Sequence, residues 1–325
     1  MAIDLDFPFP DEPLFSAVAR YMADLRVGDK VRFLKNLFGY QQRLSVTLAY
    51  GLDRFAEETS CVWNLNSREL AERFTLYPYY AALLPAPVRD ALLADMRQKG
   101  RKPSPLVVHS RLRFCEACRA ADRAGHRPAY WRRSHLLPGV LLCPEHGIYL
   151  KEVWSRDLRF LAAWPALQHL SVANIQPVAL DLSSAQLDAC QRVTRASVWL
   201  LNHRISADLE ATLAQFKSMI WKAGYTFGPR NLDCRRLTRD FIEFYGEPYL
   251  AHLESLPPTG NNNWLATAAN GHLTRRFTTR AVLVAIFVNF ISQQDCDAMW
   301  PVCPNKIAPH GPGHIVECRQ RAPSG

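Results

Sequence analysis

Four residues, Cys115, Cys118, Cys143 and His146, constrain this chain more than any other feature. They read C-x2-C, then twenty-four residues, then C-x2-H. A two-residue gap lets one tight turn aim both of its ligands at a single point, and here the gap occurs twice. Three thiolates and an imidazole close a tetrahedron around Zn²⁺ and leave no position for water or substrate. The spacing therefore predicts a structural metal rather than a catalytic one. Cysteines that served only as small buried hydrophobes would have no reason to share the gap.

The charge is as localised as the ligands. The chain has 325 residues, room for two domains at ~100–200 residues each, and 39 basic against 30 acidic residues, a net of +9. Between Arg97 and Arg133 eleven basic residues face only Glu116 and Asp122, so this window alone equals the excess of the whole chain. A solvated surface intersperses both signs, whereas concentration of one sign is the footprint of a nucleic-acid binder. Phosphate contact is expected of Arg111, Arg113, Arg119, Arg123, Arg132 and Arg133, and later in the chain of Arg235, Arg236, Arg275, Arg276 and Arg280. Tyr130 and Trp131 are expected to pack under the metal module, with His135 behind the ligands as a hydrogen-bonding group.

The first residues, Met-Ala-Ile-Asp-Leu-Asp, lack the basic and apolar regions of a secretory signal. A reducing cytoplasm is expected, where cysteine pairs bind metals rather than form disulfides. The longest apolar run, Ala281 to Ile291, is shorter than the ~20 residues of a membrane span and contains Asn289, so it reads as a buried helix. No G-x-x-x-x-G-K-[ST], H-E-x-x-H or G-x-S-x-G motif occurs, and no enzymatic activity is expected.

Helical spacing of apolar residues predicts helices from Leu14 (with Asp11 as N-cap), over Lys30–Phe38 (ended by Gly39), Ser67–Leu76 and Pro87–Gln98 (closed by Gly100). Leu106–Val108 reads as a short strand before a loop-rich metal module, Leu136–Leu142 as a bend between a helix end and a short strand at Pro138-Gly139, and Leu150–Trp154 completes the module. A second block holds helices over Ala185–Leu201, Asp208–Ala223, Leu237–Tyr245, Pro248–Leu256 and Thr274–Ser292. Short helices joined by glycine-containing turns suit a helix-turn-helix arrangement.

The segment Tyr130-Trp131-Arg132-Arg133-Ser134-His135-Leu136-Leu137-Pro138-Gly139-Val140 follows Cys118, Asp122 and Gly125 and precedes Cys143-Pro144-Glu145-His146-Gly147. This run resembles the TniQ/TnsD family of transposon target-selection proteins, as does Pro8 to Arg20. The likeness continues weakly through Trp264-Leu265 and Arg275 to Cys303-Pro304-Asn305 and His310. The expected fold is mainly α with small zinc-binding modules: an N-terminal helical part over 1–105, a zinc-ribbon-like module over 106–160, a helix-turn-helix-like DNA-binding block over 183–295 and a second zinc segment over 296–325. The second zinc would take Cys303, His310, His314 and Cys318. Family members of the TnsD type carry a further cysteine pair after the corresponding segment, whereas this chain ends at Gly325. Two readings stay open: His314 or Cys318 completes the site, or the chain is a piece of a longer protein. The resemblance implies a non-catalytic adaptor that binds double-stranded target DNA and recruits an AAA+ ATPase regulator of the TnsC type, with transposase subunits as further partners. The alternative is a TniQ adaptor that links an RNA-guided CRISPR effector complex to the same ATPase.

Overall fold

In a computed structural model the described residues are 5–40, 45–98, 111–153, 165–170, 175–203, 209–228, 231–258, 263–272 and 277–292. They are mainly helical, as expected. Gly100, the 106–108 segment and everything after Ser292 lie outside them.

α1 (Leu14–Asp24) starts directly after Pro13 with no side-chain cap. Asp11, the expected cap, sits instead at a φ of 61° and takes up Arg133 and the Ser134 N–H. α2 (Lys30–Phe38) keeps its expected span: Asp29 accepts from the Arg32 N–H, and Gly39 closes the helix in the left-handed region at φ 79°. α4 (Ser67–Phe74) opens on a reciprocal cap between Asn66 and Glu69. α3 (Leu52–Glu58), α5 (Tyr77–Ala81) and α6 (Ala86–Arg97) complete this layer. α5 is five residues of Tyr, Pro and Ala, too short to show a period, and its Tyr79 is fully buried.

The middle of the chain forms a small antiparallel sheet in the order β1 (Arg113–Phe114), β2 (Lys151–Val153), β3 (Ile175–Pro177). Arg113 pairs with Glu152 and Phe114 with Lys151. Two helices, α7 (Glu116–Ala124) and α8 (Arg133–Leu136), lie between β1 and β2 in sequence.

The last block contains α9 (Ser184–Asn202), α10 (Leu209–Lys222), a hairpin of β4 (Thr226–Phe227) and β5 (Asn231–Leu232), α11 (Cys234–Tyr245), α12 (Glu247–His252), α13 (Trp264–Ala269) and α14 (Phe277–Ser292). Along α14 Ala281, Val282, Leu283, Val284, Ala285, Phe287 and Val288 are all buried. A helix apolar on every side must be surrounded, and α14 is packed by α9 and α10. No helix of the described residues is long and apolar enough to cross a membrane.

One apolar core runs through the N-terminal helices, the sheet region and the last block. Polar contacts stitch the same regions together. The Tyr79 hydroxyl lies 3.1 Å from that of Thr279 on α14. The Tyr249 hydroxyl on α12 donates to the Gly139 carbonyl at 2.8 Å. Gly139 itself comes so close to α9 that an added Cβ would stand 2.9 Å from Val193 Cγ1.

Candidate metal centre

β1 delivers Cys115 in extended conformation, and the chain then turns straight into α7, so Cys118 lies in the first turn of that helix. The expectation of a tight turn is therefore met differently for this pair: Glu116, Ala117, Ala120 and Ala121 favour helix, and a helix start brings residues three apart onto one side. The second pair does sit on a tight turn. The Gly147 N–H donates to the Cys143 carbonyl at 2.8 Å, and the Cys143 N–H to that of Ile148 at 2.8 Å. Gly147 makes the reversal at φ 65°. Beyond it Leu142 bridges Tyr149, and the chain runs on into β2. Because β2 pairs with β1, the sheet brings the two ligand pairs together.

The three sulfurs and one imidazole nitrogen lie within 4.8 Å of one another. Cys118 and Cys143 Sγ are 3.6 Å apart, and His146 Nδ1 is 3.6, 3.3 and 3.5 Å from Cys115, Cys118 and Cys143 Sγ. Metal–ligand bonds of about 2.3 Å to sulfur and 2.0 Å to nitrogen imply tetrahedral edges of about 3.8 Å for S···S and 3.5 Å for S···N. The donor set can therefore hold a metal ion. All three cysteines are buried, while His146 is exposed on the knuckle.

Crowding also decides where protons sit. Burial pushes the Cys115 thiol up. The hydrogen bond to Cys143, and then burial, raise Cys118 further. Accepting that bond holds Cys143 low, helped by His135. A divalent cation would let all three sulfurs ionise together. His135 is buried as expected, its Nε2 3.6 Å from Cys143 Sγ and 4.0 Å from Cys118 Sγ.

The arginine window needs correction. Arg132 is buried and forms a two-pronged pair with Asp122, 3.0 and 2.8 Å long. Arg133 is buried between Asp11 and the carbonyls of Glu72 and Thr75. Arg113 donates to the Val140 and Leu137 carbonyls, which fixes the Pro138-Gly139 turn. Arg119 is buried over the Phe114 ring, 3.7 Å from Glu116. These four hold the module together instead of facing a phosphate. A guanidinium has five donors in a planar fork, which suits clusters of carbonyls and carboxylates that sequence alone does not reveal.

Other expected sites fall elsewhere. Arg123 is exposed, and Arg111 is half-exposed against Glu152 at 3.0 Å. Arg235 and Arg236 are exposed at the start of α11. Arg280 lies over the Trp264 ring. Arg275, Arg276, Cys303, His310, His314 and Cys318 lie outside the described residues. Tyr130 and Trp131 are buried as expected; the Trp131 indole donates to Pro165 and its backbone N–H receives the Ser16 hydroxyl oxygen as acceptor. Glu152 gave no signal in the sequence, yet it gathers Arg111, Arg113 and His252 around one carboxylate.

The TniQ family model matches residues 7–150. Transposon Tn7 transposition protein TnsD of Escherichia coli is 23% identical over 150 residues, 43% of this chain and 30% of that protein. The matched region thus spans under a third of the relative's length.

Proposed function

Residues 7–150 are a TniQ domain, which places the chain in the TniQ/TnsD family, and from that premise we propose that it acts in transposition as a non-catalytic target-selection adaptor. It binds double-stranded target DNA and recruits an AAA+ ATPase regulator of the TnsC type. The observation that carries this reading is the coincidence of the TniQ match with a four-ligand cluster inside one continuous core. Cys115, Cys118, Cys143 and His146 would hold Zn²⁺, which supplies folding free energy and a cross-link between α7 and the hairpin that feeds β2. With four protein ligands the ion has no open position, so recognition rather than bond breaking is the chemistry proposed. The likeness to a protein named for Tn7 transposition supports a role in transposition, and the adaptor reading takes duplex DNA as its target.

The test is co-assembly of the full chain with an AAA+ ATPase of this type on immobilised duplex DNA. ATPase retention that requires the chain supports the adaptor reading. Equal retention without the chain, or duplex cleavage by the chain on addition of divalent ions, counts against it.

A further inference from the structure

Four of the expected arginines lie inside the fold, and a second group of exposed arginines stands on the last block. The β4–β5 hairpin and the beginning of α11 form a groove of about 630 Å³ lined by Phe227, Leu232, Arg235, Arg236 and Arg239. Phe227 is 66% exposed, the most open large apolar side chain among the described residues. Arg235 is exposed and has no ion pair among the described residues. Arg239 is 70% exposed and, among the described residues, pairs with its neighbour Asp240 at 2.9 Å. An exposed pair of this kind contributes little to stability and gives way readily to a phosphate. Arg236 is held in place: its guanidinium lies 5.1 Å from the Tyr225 ring centre, donates to the Gly224 carbonyl at 3.4 Å and stands 3.8 Å from the Asp240 carboxylate that it shares with Arg239, so two guanidinium groups divide one acid between them.

Arg235 and Arg239 are four residues apart, so they share one face of α11 about 6 Å apart along its axis. Asp233 does not oppose them freely, because its carboxylate caps the helix at the Arg236 N–H. The patch therefore offers guanidinium groups in a row beside one aromatic ring. Single strands are gripped by successive aromatic platforms, and a lone ring flanked by arginines suits a duplex better: cations on the backbone, with an apolar wedge at the groove.

We infer that the β4–β5 hairpin and the first turns of α11 are a duplex-DNA contact surface, with Arg235, Arg236 and Arg239 on backbone phosphates and Phe227 against the groove. This inference rests on the DNA-binding reading above and locates it.

The experiment compares the full chain with Arg235→Ala/Arg239→Ala and Phe227→Ala variants by fluorescence anisotropy on labelled duplex DNA of arbitrary sequence, across a salt series. Melting curves check that these exposed substitutions leave the fold intact. Loss of the two arginines should flatten the slope of log K against log salt by about 1.8, at ~0.9 per phosphate contact. Loss of the ring should weaken binding about fivefold or more with the slope unchanged. Wild-type binding to duplex with both variants indistinguishable from it overturns the surface and leaves the adaptor reading standing. Absence of duplex binding by the wild type at low salt overturns both. Tighter binding to single-stranded DNA or RNA that is lost in Phe227→Ala overturns the assignment to a duplex.

Discussion

Arg132 and Asp122 meet through two hydrogen bonds, 3.0 and 2.8 Å long, with the carboxylate wholly shielded from solvent. The pair fastens α7, which carries Cys118, to the segment that leads into α8. Arg132 also lies 4.3 Å from the Tyr130 ring centre, which continues the same packed layer. Removing Arg132 leaves the buried Asp122 carboxylate with the half-exposed Arg127, 3.9 Å away, as its remaining ion-pair partner among the described residues, so the cost falls toward the lower end of the ~3–5 kcal/mol of a broken buried pair. Arg132→Ala should lower the urea midpoint accordingly. Arg132→Lys should recover little of it, because an ammonium cannot reproduce the fork. An unchanged midpoint in Arg132→Ala would show that the pair contributes nothing to the fold.

Metal content tests the cluster directly. Elemental analysis of the purified chain should find zinc, and Cys118→Ser should lose it together with part of the thermal stability. If a second ion occupies Cys303, His310, His314 and Cys318, the content of that variant falls by half rather than to zero. His135→Ala should keep the stoichiometry while weakening affinity about 10–100-fold in a chelator competition, as expected of a group that orients ligands without binding the ion. Full zinc retention in Cys118→Ser would rule out the four-ligand site.

The Pro138-Gly139 turn is wedged between regions far apart in sequence. Its position leaves no room for a methyl group, since a Cβ would lie 2.9 Å from Val193 Cγ1 and 3.6 Å from Ser197 Oγ. Gly139→Ala should destabilise the chain by about 1–3 kcal/mol through overpacking. Val193→Ala in the same chain should restore part of the loss by vacating that space. If the double variant is no more stable than the sum of its parts predicts, close approach is not the reason for glycine here.

What was legible in the sequence was whatever depends on neighbours in the chain. The ligand spacing led to a cluster that can hold a metal ion, and the Asp29 and Gly39 signals bounded α2 within the residues expected. α3 and α5 were missed because each is too short to display a helical period. Charge was the misleading signal: counting arginines cannot separate one that faces solvent from one that satisfies carbonyls. The partners of Arg133 show why, since Asp11, Glu72 and Thr75 lie 58 to 122 residues away, and the first of them reads in the sequence as a helix cap. Phe227 and Arg239 became visible as a pair only when the hairpin was set beside α11.

Glu152 gives the chain a predictable acid sensitivity. Burial alone would raise its carboxyl, but the hydrogen bond from His252, followed by the charges of Arg113 and His252 and the bond from Arg111, outweigh this and hold it below its ordinary value of 4.5. A carboxyl depressed in the folded state contributes stability that is fully present above the unfolded value and is lost as pH falls through the lower folded one. The His252 Nε2 contact, 2.9 Å long, joins β2 to α12, so protonation loosens the tie between the sheet and the last helical block. Glu152→Gln should therefore cost most at neutral pH, and its deficit against the wild type should shrink as pH drops below about 4. Urea midpoints for both proteins at neutral and acid pH provide the measurement. A deficit that stays constant across that range would mean that Glu152 acts through its shape and hydrogen bonding rather than through its charge.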